Sequence, residues 1–175
     1  LGNVIDPLDM TAKYGTDALR MALIFGTAPG TDSVISEEKI KGMRNFANKV
    51  WNATRFVLQT ANEKRKVKSE KHNGKRNKSE LVKLKKLVKE TTKDLENFRF
   101  HHAAERLYHF FWHYYADKVI ENYKKGLISK KVLLKFHETL IKLLHPFMPF
   151  ITEEIYQKLP LRNKKKCLMV ENWPR

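Results

Sequence analysis

The stretch from Ser36 to Thr60, SEEKIKGMRNFANKVWNATRFVLQT, narrows the fold more than any other part of the chain. It reads as one long helix with two unlike faces. Ser36 is a good N-cap, and Glu37 and Glu38 follow in the first turn, where the helix dipole favours negative charge. Apolar residues recur at Ile40, Met43, Ala47, Val50, Thr54 and Val57, in mostly alternating steps of three and four that make a buried stripe. At roughly 100° per residue, the opposite side carries Asn45, Lys49, Asn52 and Phe56 within about 60° of one another. Amides read base edges, an ammonium meets phosphate, and a ring offers a stacking face to an unpaired base. The competing reading is a solvated face whose Phe packs on a neighbouring element.

The 175 residues suit one domain, or one domain with an appendage, and can bury a sizeable core. A net charge of +16 points to a polyanionic partner rather than an acidic small substrate. A single cysteine, Cys167, excludes an internal disulfide and any multi-cysteine metal site, which suits a reducing cytosol. No apolar run approaches membrane-spanning length, no basic-then-apolar signal opens the chain, and no initiator Met does either. A piece cut from a longer cytoplasmic protein, not associated with membrane, is therefore expected.

The remaining segments are also helical in pattern. Asp6-Pro7 starts a helix that Gly15 ends, and Thr16 is expected to cap a second that ends at Gly26. Residues 26–33, GTAPGTDS, form a connection without the G-K-[ST] ending of a phosphate-binding loop. Asn62 to Lys78 holds eight Lys or Arg against two Glu and predicts a basic flexible loop. Helix resumes at Ser79 with Leu81, Leu84, Leu87, Val88, Thr91, Leu95 and Phe98 on its apolar side. An aromatic-dense helix from about His102 to Lys124 predicts a central, well-covered element. Ser129 caps the next helix, and a short last one is expected over Thr152 to Leu159, with Glu153 and Glu154 in its first turn. Cys167 to Val170 has strand-like character. The predicted fold is all-α, an antiparallel helical bundle with a short extended C-terminal segment.

Catalysis finds no support in these residues. His101, Glu105, His109 and His113 share a helical face at four-residue steps, but all sit on one helix without a second ligand-bearing segment. Neither a Ser-His-Asp nor a Cys-His arrangement can be argued. The expectation is a basic bundle with no catalytic residue, no metal site and no cofactor, binding nucleic acid.

Several long ungapped blocks add a resemblance. GNVIDPLDMTAKYGTDALRMAL is similar to the segment that follows the Lys-Met-Ser-Lys-Ser loop of class I aminoacyl-tRNA synthetases. GTAPGTDSVISEEKIKGMRNFANKVWNATRFVL, FRFHHAAERLYHFFWHYYADKVIE, LLHPFMPFITEEIYQKL and MVENWP resemble the valine-specific enzymes in particular. HPFMPFITEEIY also resembles the leucine and isoleucine enzymes, which leaves those two specificities as alternatives. A basic helical module for protein docking is the alternative of a different class.

The resemblance implies that residues 1–30 are the end of a stem-contact region and that 31–175 form the anticodon-binding domain. It implies a catalytic domain upstream, using ATP with magnesium, and a valine-specific tRNA as partner to a monomeric enzyme. Asn45, Lys49, Asn52 and Phe56 stand at the positions with which the family's helix meets the anticodon, and Lys39, Arg44 and Arg55 border them as candidates for phosphate.

Overall fold

A computed structural model describes residues 6–27, 30, 35–62, 74–161 and 163–175, and every regular element among them is helical. The first helix, α1 (Pro7–Tyr14), is capped by the Asp6 carboxylate, which accepts the Leu8 N–H at 2.7 Å. Gly15 stands at φ 90°, a backbone state that a Cβ disfavours, and its N–H closes α1 on the Thr11 carbonyl at 2.9 Å. The second helix, α2 (Thr16–Ile24), starts at once. Thr16 is thus its first helical residue rather than its cap, and the cap position falls to Gly15, which has no side chain to offer.

The long helix α3 (Glu37–Asn62) runs 26 residues, and Ser36 caps it as expected, its Oγ accepting the Lys39 N–H at 3.2 Å. Its buried residues are Ile40, Met43, Phe46, Val50, Ala53, Thr54, Val57 and Thr60, with Ala47 only half-buried. Counting Phe46, Ala53 and Thr60 and leaving out Ala47 turns the centre of the buried arc by about 40° from its expected direction, at 100° per residue. The open face turns with it.

Helix α4 (Gly74–Glu96) begins five residues before Ser79. The last part of the expected basic loop, Gly74 to Lys78, is therefore helical, while 63–73 lie outside the described residues. Tertiary bonds hold the early turns: Arg76 donates to the Asn122 side chain at 3.1 Å, and the Asn77 side-chain oxygen accepts the Ser129 N–H at 3.0 Å. Such partners stand far off in sequence, so local charge density could not disclose them. At the other end Phe98, expected on the apolar side, is 73% exposed and left-handed at φ 57°. It belongs to the corner that ends α4.

One column then runs from Phe100 to Lys124: α5 (Phe100–His109), a π-helical segment (Phe110–Val119) and α6 (Ile120–Lys124). Its buried series is Ala103, Leu107, Phe111, Tyr115 and Val119, a strict four-residue repeat. On an α-helix such a repeat drifts about 40° per step and would walk out of the core. The i→i+5 pattern of the π segment turns the chain less per residue and brings Tyr115 and Val119 back to the inner side. Tyr108, Phe110, Trp112, Tyr114 and Tyr123 are half-buried on its flanks, while Phe100 is exposed.

Helix α7 (Lys130–Leu144) opens on Ser129, whose Oγ accepts the Val132 N–H at 3.4 Å. Helix α8 (Pro149–Lys158) starts three residues earlier than expected because Pro149 takes the first helical position. Glu153 and Glu154 consequently lie beyond its first turn. The anion at its N-terminus comes from α2 instead. Asp17 accepts the Phe150 N–H at 3.2 Å and the Ile151 N–H at 2.6 Å. Burial lifts the Asp17 carboxyl above its ordinary range, and those two N–H groups pull it back. Leu168–Val170 form a 3-10 turn rather than a strand, flanked by extended Cys167 and Glu171. No neighbouring strand is there to pair with, and the Glu153 carboxylate takes the Leu168 N–H at 2.8 Å.

Residues of α2, α3, α4, the α5–α6 column, α7 and α8 share one hydrophobic core. No helix among the described residues is long and apolar enough to cross a membrane.

Candidate nucleic-acid interface

The open side of α3 carries amides and cations without a carboxylate among them. Lys41, Arg44, Asn45, Asn48, Asn52, Arg55 and Gln59 are all exposed, and the sequence between Lys39 and Asn62 contains no acid. Amides and cations alternate along it. Arg44 sits over the Tyr14 ring, 6.0 Å from its centre, so α1 steadies one end of the stripe. Arg55 makes no ion pair with a described residue.

The seven expected residues do not all share this face. Asn45, Asn52, Arg44 and Arg55 do. Lys49 and Phe56 are half-buried at its margin, where the π segment and α6 approach. The Lys49 ammonium lies 5.3 Å from the Trp112 ring centre and 3.5 Å from the Asp117 carboxylate. Phe56 packs against the core, meets Tyr123 edge-on at 6.2 Å, and has the Lys124 ammonium 5.3 Å from its ring centre. Lys39 points away from the stripe; it is half-buried, bonds the Thr27 hydroxyl at 3.5 Å, and burial lowers its pKa. Lys41, Asn48 and Gln59 stand on the open face although the apolar spacing did not single them out. Phe46 was the missing signal, since including it turns the helical wheel toward them.

A buried polar chain fixes the height and rotation of α3. Thr54 donates its hydroxyl proton to the Val50 carbonyl at 2.9 Å, so its oxygen must accept from His137 Nε2 at 3.0 Å. His137 Nδ1 is then left to accept the Tyr115 hydroxyl at 3.0 Å. Each polar atom has a partner only if the imidazole is neutral and protonated on Nε2. Burial pushes the His137 pKa down to about 3, and holds the Tyr115 phenol well above its ordinary range. The chain ties α3 to α7 and to the π segment, which is what brings Tyr115 into reach.

His101, Glu105, His109 and His113 are not gathered round a point. His101 lies against His102 at 4.1 Å between ring centres, and His109 stacks on His113 at 5.8 Å. Among the described residues no group of three His, Cys, Asp or Glu is placed to hold a metal ion.

Comparison with known proteins bears on this surface. Residues 77–175 match the family model described as the anticodon-binding domain of tRNA ligase. The chain is 42% identical over 158 residues to the valine–tRNA ligase of Solibacter usitatus, a match covering 90% of this chain and 18% of that protein. It is 40% identical over 181 residues to the valine–tRNA ligase of Pseudothermotoga lettingae, covering 99% of this chain and 21% of that protein. The chain thus spans about a fifth of the length of these curated relatives. Among solved structures, the ternary complex of Agrobacterium radiobacter K84 agnB2 LeuRS with tRNA and LeuAMS contains a similar fold. The TM-score is 0.80 at 23% identity, over 99% of this chain and 21% of that one.

Proposed function

Since the chain belongs to the anticodon-binding domain family of tRNA ligases, we propose that α3 presents its open face to the anticodon loop of a valine-accepting tRNA. The observation that carries this reading is the acid-free run of exposed amides and cations from Lys41 to Gln59. Unpaired anticodon bases offer their edges to Asn45, Asn48 and Asn52, while Arg44 and Arg55 meet backbone phosphates. Lys49 and Phe56 line the margin, where a base entering between α3 and the π segment would touch both. The parent enzyme attaches valine to this tRNA with ATP and magnesium, and the present chain contributes recognition alone. Residues 1–30 end the stem-contact region and 31–175 form the recognition domain, in a monomer working in the cytoplasm.

Binding to tRNA with native and altered anticodons tests this over a range of salt. Affinity falls steeply with salt, and Arg44→Ala and Arg55→Ala each weaken all tRNAs and reduce the salt slope by about 1. Asn48→Ala and Asn52→Ala instead narrow the preference for the native anticodon, by roughly 1–3 kcal/mol where an amide reads a base edge. Equal binding of native and scrambled anticodons by the intact chain would sink the reading. The pure chain does not exchange pyrophosphate with ATP in the presence of valine; measurable exchange contradicts the assignment of chemistry to another domain.

A further inference from the structure

On the flank where α4 meets α7, away from the α3 stripe, the surface folds into a groove of about 900 Å³. Its apolar lining is Leu81 from α4 with Val132 and Leu134 from α7, and Leu81 and Leu134 are only half-buried. Among the described residues no aromatic ring lines it. The rim is basic. Lys131 and Lys135 stand exposed along α7, and Lys78 and Lys85 are exposed on the turns of α4 that flank Leu81, while Lys130 between them is tied to the Ala61 carbonyl at 2.5 Å. The one acid among the described lining residues, Glu138, is already held by Lys142 at 2.8 Å and Lys135 at 3.7 Å.

We propose that this groove docks a second protein through an acidic amphipathic helix, with aliphatic side chains on Leu81, Val132 and Leu134 and carboxylates on the lysine rim. An amphipathic helix lying in a groove needs apolar surface to cover and complementary charge beside it; Leu81 and Leu134 supply the first, and Lys131 with the lysines of α4 the second. Single-stranded RNA is the rival occupant of a basic groove, but its sites add stacking on rings to their phosphate contacts, and no ring lines this groove among the described residues. The lysines give a partner its orientation and speed its encounter, while the leucines hold it.

The probe is a labelled helical peptide with Leu at positions i, i+3, i+4 and i+7 and Glu on both flanks. It is followed by anisotropy with the intact chain, beside a scrambled peptide of the same composition. The expected result is tighter binding of the patterned peptide, with shifts of the Leu81, Val132 and Leu134 methyl resonances. Lys131→Glu with Lys135→Glu lowers its affinity by at least about tenfold at unchanged melting temperature. Leu134→Asp abolishes the preference over the scrambled peptide, and Asn52→Ala, on the other face, leaves peptide binding unaltered. Equal binding of both peptides overturns the proposal, and so does binding whose methyl shifts map elsewhere. An unpaired oligonucleotide that shifts those same methyls and displaces the peptide would make the groove an RNA wall and overturn it as well.

Discussion

The Thr54–His137–Tyr115 chain makes the bundle acid-sensitive in a definite window. His137 has an ordinary pKa of 6.5 when unfolded and about 3 when folded, because it is buried where an imidazolium would have no acceptor for its second proton. A depressed folded pKa means that its contribution to stability is fully present above 6.5 and is lost as pH falls from 6.5 toward 3. At pH 5 the unfolded state gains about 2 kcal/mol from protonating this one residue, while the folded state gains almost nothing. For a domain of this size, that corresponds to a fall of about 4–8 °C in Tm. The assay is thermal unfolding from pH 8 to pH 5 for the intact chain and for His137→Leu with Tyr115→Phe. The double variant removes the titrating ring and the hydroxyl it would orphan, while Thr54 keeps its bond to Val50. Other groups titrate in both proteins and cancel in the difference. The variant is expected to lose about 2 kcal/mol less over that range. If the two curves run parallel, or if the His137 ring proton titrates near 6.5 in the folded protein, the neutral relay is wrong.

The remaining expectations are more local. Asp17→Ala strips two part-buried N–H groups at the start of α8 of their acceptor and should cost about 1–3 kcal/mol in urea unfolding, whereas a loss within error would show that water replaces it. Glu171 accepts from Tyr156 at 2.6 Å, from the Lys165 N–H at 3.0 Å and from Lys142 at 3.1 Å, which hold its carboxyl down at about 2, while burial and the Glu171 carboxylate push the Tyr156 phenol up to about 12. The C-terminal segment should therefore loosen as pH falls from 4.5 toward 2 or rises from 10 toward 12, read from the Trp173 indole N–H that bonds Thr92 at 2.8 Å; an indole signal that moves between pH 5 and 9 argues against it. Phe56→Ala should lower stability by about 1–2 kcal/mol, below the full cost of emptying a core site, and weaken cognate tRNA by a further 1–3 kcal/mol. Binding that is normal once corrected for the unfolded fraction would leave the ring as packing alone. Asp117→Ala should free Lys49 and strengthen tRNA binding about two- to fivefold at low salt, an effect that vanishes at high salt.

What could be read from the sequence followed from how far each cause reaches. Caps at Asp6, Ser36 and Ser129 act within three residues, so the side chain and the N–H it serves appear together in one short string. The stripe of α3 was visible for the same reason, yet its direction was off by part of a turn. Ala47 and Phe46 are neighbours in sequence, and only the aromatic cluster of Tyr108, Phe111 and Trp112 decides that the ring is the one drawn inward. The early start of α4 depends on Asn122 and Ser129, some fifty residues away, and the anion of α8 on Asp17, farther still. The π segment lay between these cases. Its four-residue repeat is written in the chain, but a dense run of rings hides which of them face in.

The bond from Asp17 to α8 also bears on how such a unit can be inherited and moved. Ala18, Leu19, Met21 and Ala22 belong to the same core as α3 and α7, and Asp17 finishes a helix more than 130 residues downstream. A gene segment cut after Gly26 would carry the open face of α3 entire but leave behind the residues that close the bundle's far end. Recombination that swaps this module between proteins must therefore take the two leading helices along. The joint that evolution can exploit lies on the N-terminal side of α1, not after Gly26.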